Sequence, residues 1–319
     1  MKNITLDYFK DFQCKKGECK NNCCVGWEIC IDKNTYKKYK KVKGDFKKTL
    51  KEGIDKSTRS FVKNECGRCA FLNKDNLCDI IINLGEKALC DICRDHPRYR
   101  CFLSDRVEYG IGLSCEKAVE LVLSKKEKAI EIETQTQGKE KLLTDFEKEL
   151  LSFRKRVITL LQDREFPFCN RVDNVLSFCG IKKEDFYKLD VKKLLLGLEN
   201  LDSSWQVLIK NTDFTDKNVF LSENDIFNEQ ISVYFVYRHL LTALDSLDRI
   251  TKTLFSLLST FVINAVSKSN KFSEVCRMYS AEIEYSSENL NAVFDVIDAL
   301  SIKSKIGGIN HEENSTFNK

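Results

Sequence analysis

CKKGECKNNCC (residues 14–24) places four cysteines in eleven positions. Either a metal or a disulfide framework organises a run that dense, or its thiols are free, and the choice sets the fold around it. The pattern continues downstream as Cys66-x2-Cys69, Cys78, Cys90-x2-Cys93, Cys101 and Cys115, with Cys30 between the two dense stretches. Twelve of the fifteen cysteines therefore lie between positions 14 and 115. Cys169, Cys179 and Cys276 follow singly among apolar residues and read as core packing.

The first residues, MKNITLDYFKDFQC, include acidic side chains and lack the apolar centre of a secretory signal, so a cytoplasmic location is expected. Thiols there stay reduced, which counts against disulfides and favours metal or redox chemistry. Two cysteines separated by two residues can turn both thiolates toward one ion. Cys66-x2-Cys69 and Cys90-x2-Cys93 thus resemble a four-thiolate zinc site. Iron–sulfur clusters take the same four thiolates, and ligand softness does not separate the two metals. Twelve cysteines exceed one site's need, leaving spares or a second site. The radical S-adenosylmethionine spacing C-x3-C-x2-C fails here, because Gly26 stands in its third position after Cys19 and Cys23.

A chain of 319 residues with 42% hydrophobic and 31% charged residues is globular. Two prolines and thirteen glycines favour helices over tight turns. A net charge of +4 is weak for this length and does not support nucleic-acid binding. The longest apolar run, LFSLLSTFVINAV (254–266), is too short to cross a bilayer and contains Asn264, so no membrane span is expected. Neither a Walker A loop nor a GxGxxG turn is present. GIGLSC (110–115) is a weak glycine pair, so any nucleotide-type cofactor needs another architecture.

The expected fold is mainly α, with an irregular cysteine-rich metal-binding unit carrying short β elements at residues 1–124 and a helical domain at 125–319. The seam is the charged stretch KKEKAIEIETQTQGKEK (125–141). VGWEICI (25–31) reads as a short β-like run with Trp27, Ile29 and Ile31 on one side and Cys30 on the other. A lysine-heavy helical stretch covers 33–56, and a solvated face explains its charge. Leu143, Phe146, Leu150, Phe153, Val157 and Leu160 share one helical face, ending within 163–167. Two helices are expected within 222–267, breaking near 246–248, and Ser287 is the expected N-cap of a last one.

ALCDICRDHPRYR (88–100) sets Arg94, Arg98 and Arg100 beside two cysteines. Cations there would lower thiolate pKa values and offset a cluster's negative charge, or simply pair with Asp91 and Asp95. Histidine occurs only at 96, 239 and 311, so a Cys-His or Ser-His-Asp mechanism has little to draw on. His96 reads either as a ligand or proton carrier or as a surface residue, and His239 reads as a helix histidine with a satisfied ring.

YFKDFQCKKGECKNNCCVGWEICIDKNTYKKYKK (8–41), GRCAFLNKDNLC (67–78), LGEKALCDICRDHPRYR (84–100) and GLSCEKAVEL (112–121) together resemble the flagellin lysine-N-methylase family, FliB. ISVYFVYRHLLTAL (231–244) and EYSSENL (284–290) are similar to it as well. The adjacent cysteines and the C-x-FL-x5-C pattern are also similar to the YkgJ-like group of zinc- or iron-chelating cysteine clusters. The resemblance implies methylation of flagellin lysines with S-adenosylmethionine as donor and a cysteine-bound 4Fe–4S cluster, zinc being the alternative metal. It also implies Cys14, Cys19, Cys23, Cys24, Cys69, Cys78, Cys90, Cys93 and Cys115 as metal ligands. Cys30, Cys66 and Cys101 fall outside the pattern. Under this reading Arg94 and Arg98 are the candidate cofactor-binding cations, and Asp91, Asp95 or Tyr99 would receive the amine proton. Two non-catalytic functions fit the same cysteines: a structural zinc or iron module, and a metal-handling or redox-sensing protein.

Overall fold

In the computed structural model, which describes residues 1–135, 141–220 and 224–316, helices dominate and one small mixed sheet joins the two ends of the cysteine-rich region. The sheet contains β1 (Lys2–Leu6), β4 (Arg98–Phe102), β5 (Arg106–Ile111) and β6 (Glu131–Gln135) in the order β4-β5-β1-β6. β1 runs parallel to β5, with Ile4 opposite Glu108, and antiparallel to β6. β4 and β5 form a hairpin that places Tyr99 opposite Gly110. A two-stranded ladder, β2 (Ile54–Asp55) with β3 (Ser60–Phe61), lies in the segment between β1 and β4.

The sheet is bolted to the helices through one buried cation. Arg154, in α6 (Asp145–Leu161), makes a two-pronged contact with Glu108 at 2.6 and 2.9 Å and reaches Glu131 at 2.7 Å. Burying those charges is tolerable because each finds its opposite with good geometry. α6 carries most of the apolar face anticipated from its period, with Leu150 and Val157 buried and Phe146, Phe153 and Leu160 half-buried. Leu143 precedes the helix, and Leu161, not in the anticipated set, is the buried residue at its end. A capping box between Thr144 and Glu147 starts it.

Two apolar cores result. The smaller contains Ile29, Ile31, Tyr39, Leu50, Phe61, Phe71 and Ile80. It draws on α1 (Lys33–Tyr39), α2 (Phe46–Glu52) and α3 (Asp79–Leu84). The larger takes Leu6, Tyr8 and Phe12, the end of β5, and α5 (Glu116–Ser124) together with the C-terminal helices. Those are α7 (Phe168–Phe178), three short helices α8 (Lys183–Phe186), α9 (Val191–Leu196) and α10 (Ser203–Asn211), then α11 (Asp225–His239), α12 (Asp248–Ser267), α13 (Phe272–Tyr279) and α14 (Ser287–Thr316). The small core is thus an insertion in the chain, flanked on both sides by segments of the large one.

Several local expectations change in the structure. The run 25–31 is no continuous strand: Val25 and Cys30 make isolated bridges, to Arg68 and Ser60, and Gly26 turns the chain at φ +96°. Its alternation survives, with Ile29 and Ile31 buried and Cys30 exposed. The lysine-rich helix is two helices, because Gly44 adopts φ +86° between α1 and α2. The break expected near 246–248 is present but begins earlier: α11 ends at His239, and Asp245 accepts from the amides of Leu247 and Asp248 ahead of α12. Residues 222 and 223 of that expectation lie outside the described residues. The cap of α14 is Ser286, whose Oγ accepts from the Asn289 amide, one residue before the expected Ser287. α12 is long and apolar enough to cross a membrane by length and composition, yet 94% of its apolar window is buried inside the protein.

Candidate metal centre and the buried network beside it

Five of the nine cysteines singled out in the sequence meet at the small core: Cys69 and Cys90 inside it, Cys24, Cys78 and Cys93 packed against it. Backbone contacts hold them there. The Cys69 amide donates to the Cys24 carbonyl at 2.9 Å, and Cys78 pairs with Leu72 across a tight turn. Cys90 and Cys93 flank the first turn of α4 (Asp91–Asp95), where the Arg94 amide donates to the Cys90 carbonyl. Interaction between the two neighbouring thiols raises Cys93 and lowers Cys90 from the usual thiol range. Cys24 and Cys23 repeat that arrangement, with Cys24 raised and Cys23 lowered.

Cys14, Cys19 and Cys115 lie outside that core: Cys14 is exposed, Cys19 half-buried, and Cys115 is the N-cap of α5 and packs against the large core. Burial pushes the Cys19 thiol up to about 12, reinforced by the charges of Glu116, Cys115, Cys14 and Cys23. The loop carrying Cys14 and Cys19 is stapled to α5. Lys15 reaches Glu120 at 2.5 Å and Glu116 at 3.7 Å, and the Asn21 amide donates to Glu116 at 2.5 Å. Of the three cysteines outside the pattern, Cys30 and Cys66 are exposed. Cys101 lies on β4, where burial and then Glu108 push it up to about 11. The expected zinc pair Cys66-x2-Cys69 is therefore split, one thiol at an exposed turn and one in the core. Cys179 and Cys276 are buried as expected, whereas Cys169 is half-exposed and donates to Asn170.

All fifteen thiols are free. As they stand, no three histidine, cysteine, aspartate or glutamate side chains among the described residues are placed to hold one ion. The donor chemistry nevertheless suits a soft metal, since five thiols meet at the small core. The fit lies in the kind and number of donors.

The other predicted site residues fall in two places. Asp91 and Asp95 are engaged by arginines: Arg94 contacts Asp91 at 2.7 Å and Asp95 at 3.3 Å, and Arg100 contacts Asp95 at 3.1 Å. Burial opposes ionisation of Asp95, but Arg100 and Arg94 outweigh it and hold the carboxyl below its usual range. Arg98 lies over the Phe12 ring at 4.8 Å. Tyr99 points inward, and burial raises its phenol well above the ordinary value.

Tyr99 leads to a network that sequence reasoning missed. Arg238 on α11 is sandwiched between the rings of Tyr99 and Tyr285, at 4.9 and 5.1 Å. Its Nε pairs with Glu284 at 3.1 Å and its Nη1 donates to Tyr234 at 2.7 Å. Glu284 also receives His239 at 2.7 Å and Tyr234 at about 3 Å. Burial opposes the Glu284 charge, yet Arg238 and His239 hold its carboxyl below the usual range. Burial lowers His239 despite its bond to Glu284. Glu284 sits in a π-helical turn, Ser280–Glu284, a feature found frequently at functional sites.

The two glycines of GIGLSC make room for this network. A Cβ on Gly110 would lie 2.2 Å from the Tyr99 ring, and one on Gly112 would lie 2.3 Å from Tyr285 Oη and 2.7 Å from Arg238. His96 links the network to the cysteines. Its ring lies 5.5 Å from that of Trp27 and 5.9 Å from that of Tyr285, and its buried Nε2 has no hydrogen-bond partner. Burial, then the charges of Arg238 and Arg98, lower its pKa to about 4. The signal available in sequence was the family-like character of YRH (237–239) and EYSSENL. Nothing in their spacing, 45 residues from His239 to Glu284, announces that they touch.

No family model matches the chain, and no solved structure does. Among curated proteins the chain is similar to the lysine-N-methylases of Salmonella choleraesuis and Salmonella typhimurium, 29% identical over 39% of this chain and 34% of theirs. It is also similar, at 29% identity over 39% of this chain, to the flagellar biosynthetic protein FliU of Salmonella muenchen, with 80% of that protein covered. The matched region thus spans about a third of the length of the two methylases. This chain is a distant relative of proteins named for lysine methylation and for flagellar biosynthesis.

Proposed function

We propose that this protein is a protein-lysine N-methyltransferase that takes the methyl group from S-adenosylmethionine and acts on flagellin in the cytoplasm. The observation that carries the reading is spatial. Cys24, Cys69, Cys78, Cys90 and Cys93, five of the nine cysteines implied by the methylase resemblance, come from separate stretches of the chain and meet at the small core. The names of the distant relatives point the same way.

Those thiolates would hold the 4Fe–4S cluster, which when bound ties the loops of the small core together. In the transfer, the lysine nitrogen forms an N–C bond as the sulfonium C–S bond breaks. The donor leaves as a neutral thioether, and the amine releases a proton. The protein's task is to align amine and methyl in line and to favour the unprotonated amine by burial. Of the three candidate acceptors, Asp91 and Asp95 are already engaged with arginines, whereas Tyr99 belongs to the Arg238–Glu284 network. Arg94 and Arg98 are the candidate cations for the cofactor carboxylate. The deciding experiment incubates anaerobically purified protein with S-adenosylmethionine and unassembled flagellin. Mass increments of one methyl substitution on flagellin lysines are expected. Metal-loaded protein that neither binds the donor by calorimetry nor modifies flagellin would leave a structural metal module instead.

A further inference from the structure

We propose that the seam between the two cores, where Trp27 and His96 meet Tyr285 and Arg238, binds the amino-acid end of the methyl donor, with Arg238 taking its carboxylate. The inference rests on the donor reading given above and assigns the place where that donor's charged end is held. Trp27 packs against the small core, and Arg238 belongs to α11 of the large one.

Arg238 has the properties of a preorganised carboxylate receptor. A guanidinium presents its N–H donors in a rigid fork that matches a carboxylate. Here Nε faces Glu284 at 3.1 Å, Nη1 donates to Tyr234 at 2.7 Å, and the rings of Tyr99 and Tyr285 fix the plane between them. Nη2 donates to no acceptor among the described residues, and the side chain keeps 12% of its surface open. Glu284 does not spend its whole charge on Arg238, because it also accepts from Tyr234 and bonds His239. A cation held this way loses little freedom on binding, and its nearly buried setting strengthens a bond to a carboxylate. Arg94 and Arg98 are less suited to that task. Arg94 is shared between Asp91 and Asp95 and is 48% exposed, and Arg98 lies exposed over the Phe12 ring.

Polar groups around the same seam lack partners. His96 Nε2 is buried and unbonded, and its ring lies against both Trp27 and Tyr285. Ser114 Oγ is likewise buried and unbonded. It adjoins Leu113, whose amide donates to Tyr234 Oη, and lies just beyond Gly112, beside which Tyr285 Oη and Arg238 Nη1 crowd. Buried polar groups are ordinarily satisfied, so orphans beside a cation with a free amino group point to a polar ligand. The lining sets its chemistry. Arg238 calls for a carboxylate. Trp27 stands at the other end of the row of contacts, and an electron-rich ring suits a sulfonium cation there. Trp27 Nε1 donates to the Cys23 carbonyl, which places this end of the seam beside the cysteine-rich loop.

The test is calorimetric and edits the ligand as well as the protein. Anaerobically purified full-length protein is titrated with S-adenosylmethionine and with its decarboxylated analogue, which lacks only the carboxylate. The wild type should bind the analogue about tenfold or more weakly, as expected for loss of a charge-assisted hydrogen bond. Arg238→Lys keeps a positive charge for Glu284 but removes the Nη2 amino group, so it should bind both ligands alike, near the analogue's affinity. His96→Ala should weaken S-adenosylmethionine severalfold with unchanged circular dichroism, because Nε2 makes no bond in the empty protein. If Arg238→Lys fails to fold, His96→Ala decides, and an unchanged affinity for S-adenosylmethionine overturns the assignment. Discrimination that survives in Arg238→Lys, or that is lost instead in Arg94→Ala or Arg98→Ala, overturns it as well and leaves the donor reading intact. So does equal binding of the two ligands by the wild type. Wild-type protein that binds neither ligand removes the donor reading and the assignment together.

Discussion

Glu284 carries a fully buried charge whose chief partner, Arg238, is itself only 12% exposed. Breaking such a pair from one side strands the other ion, so Glu284→Gln should destabilise the protein by about 3–5 kcal/mol in chemical denaturation. Arg238→Met combined with Glu284→Gln should cost less than the sum of the two single changes, because the stranded charge is gone. The pH dependence has a definite sign. The folded-state pKa of Glu284 is depressed, so its contribution is fully present above the unfolded value of about 4.3 and is lost as pH falls through the folded value. Glu284→Gln should lack that part of the acid limb. An equal acid limb in the variant and the wild type would show that other carboxyls govern it. At this scale the sequence displayed the cysteines and Tyr99 but hid the partnership of Arg238 with Glu284, because an ion pair between distant segments leaves no local period.

Among the elements, α6 shows how far local chemistry reaches. Its apolar period and the Thr144-x-x-Glu147 box both belong to the sequence, and both are in place. Thr144→Ala should cost about 1 kcal/mol, read by thermal melting, with no change in metal content. The β4–β5 hairpin leading to α5 makes the opposite point. Gly110 and Gly112 look like a loose glycine pair, yet each is a close approach that a side chain would block. Gly112→Ala should destabilise by about 1–3 kcal/mol, and adding Tyr285→Phe should recover part of that by removing the nearest clashing atom. No recovery in the double variant would mean that Arg238, the next contact, sets the cost. The run 25–31 failed as a strand for a related reason: alternation decides which side chains are buried, whereas a ladder needs a neighbour along its whole length.

For the whole molecule, the lysines of α1 and α2 form a solvated basic face, with Lys37, Lys38, Lys47 and Lys48 exposed. If that face meets an acidic region of flagellin, methyl transfer should slow as ionic strength rises, since long-range steering is screened within about 10 Å at 0.1 M salt. Charge reversal of those four lysines should remove the salt dependence, and an unchanged salt profile would exclude the face as the docking surface. The sequence by itself determined the mainly helical class, the positions and period of the long helices, and the concentration of thiols before position 116. These are properties of neighbouring residues, and hydrophobic period and residue type express them directly. Only the tertiary structure decided that β1 pairs with β5 across a hundred residues, that the small core is inserted within the segments of the large one, and that five of the thiols meet at the small core while Cys66 stays exposed. Those outcomes depend on which distant surfaces bury each other best. Spacing along the chain carries no record of that competition.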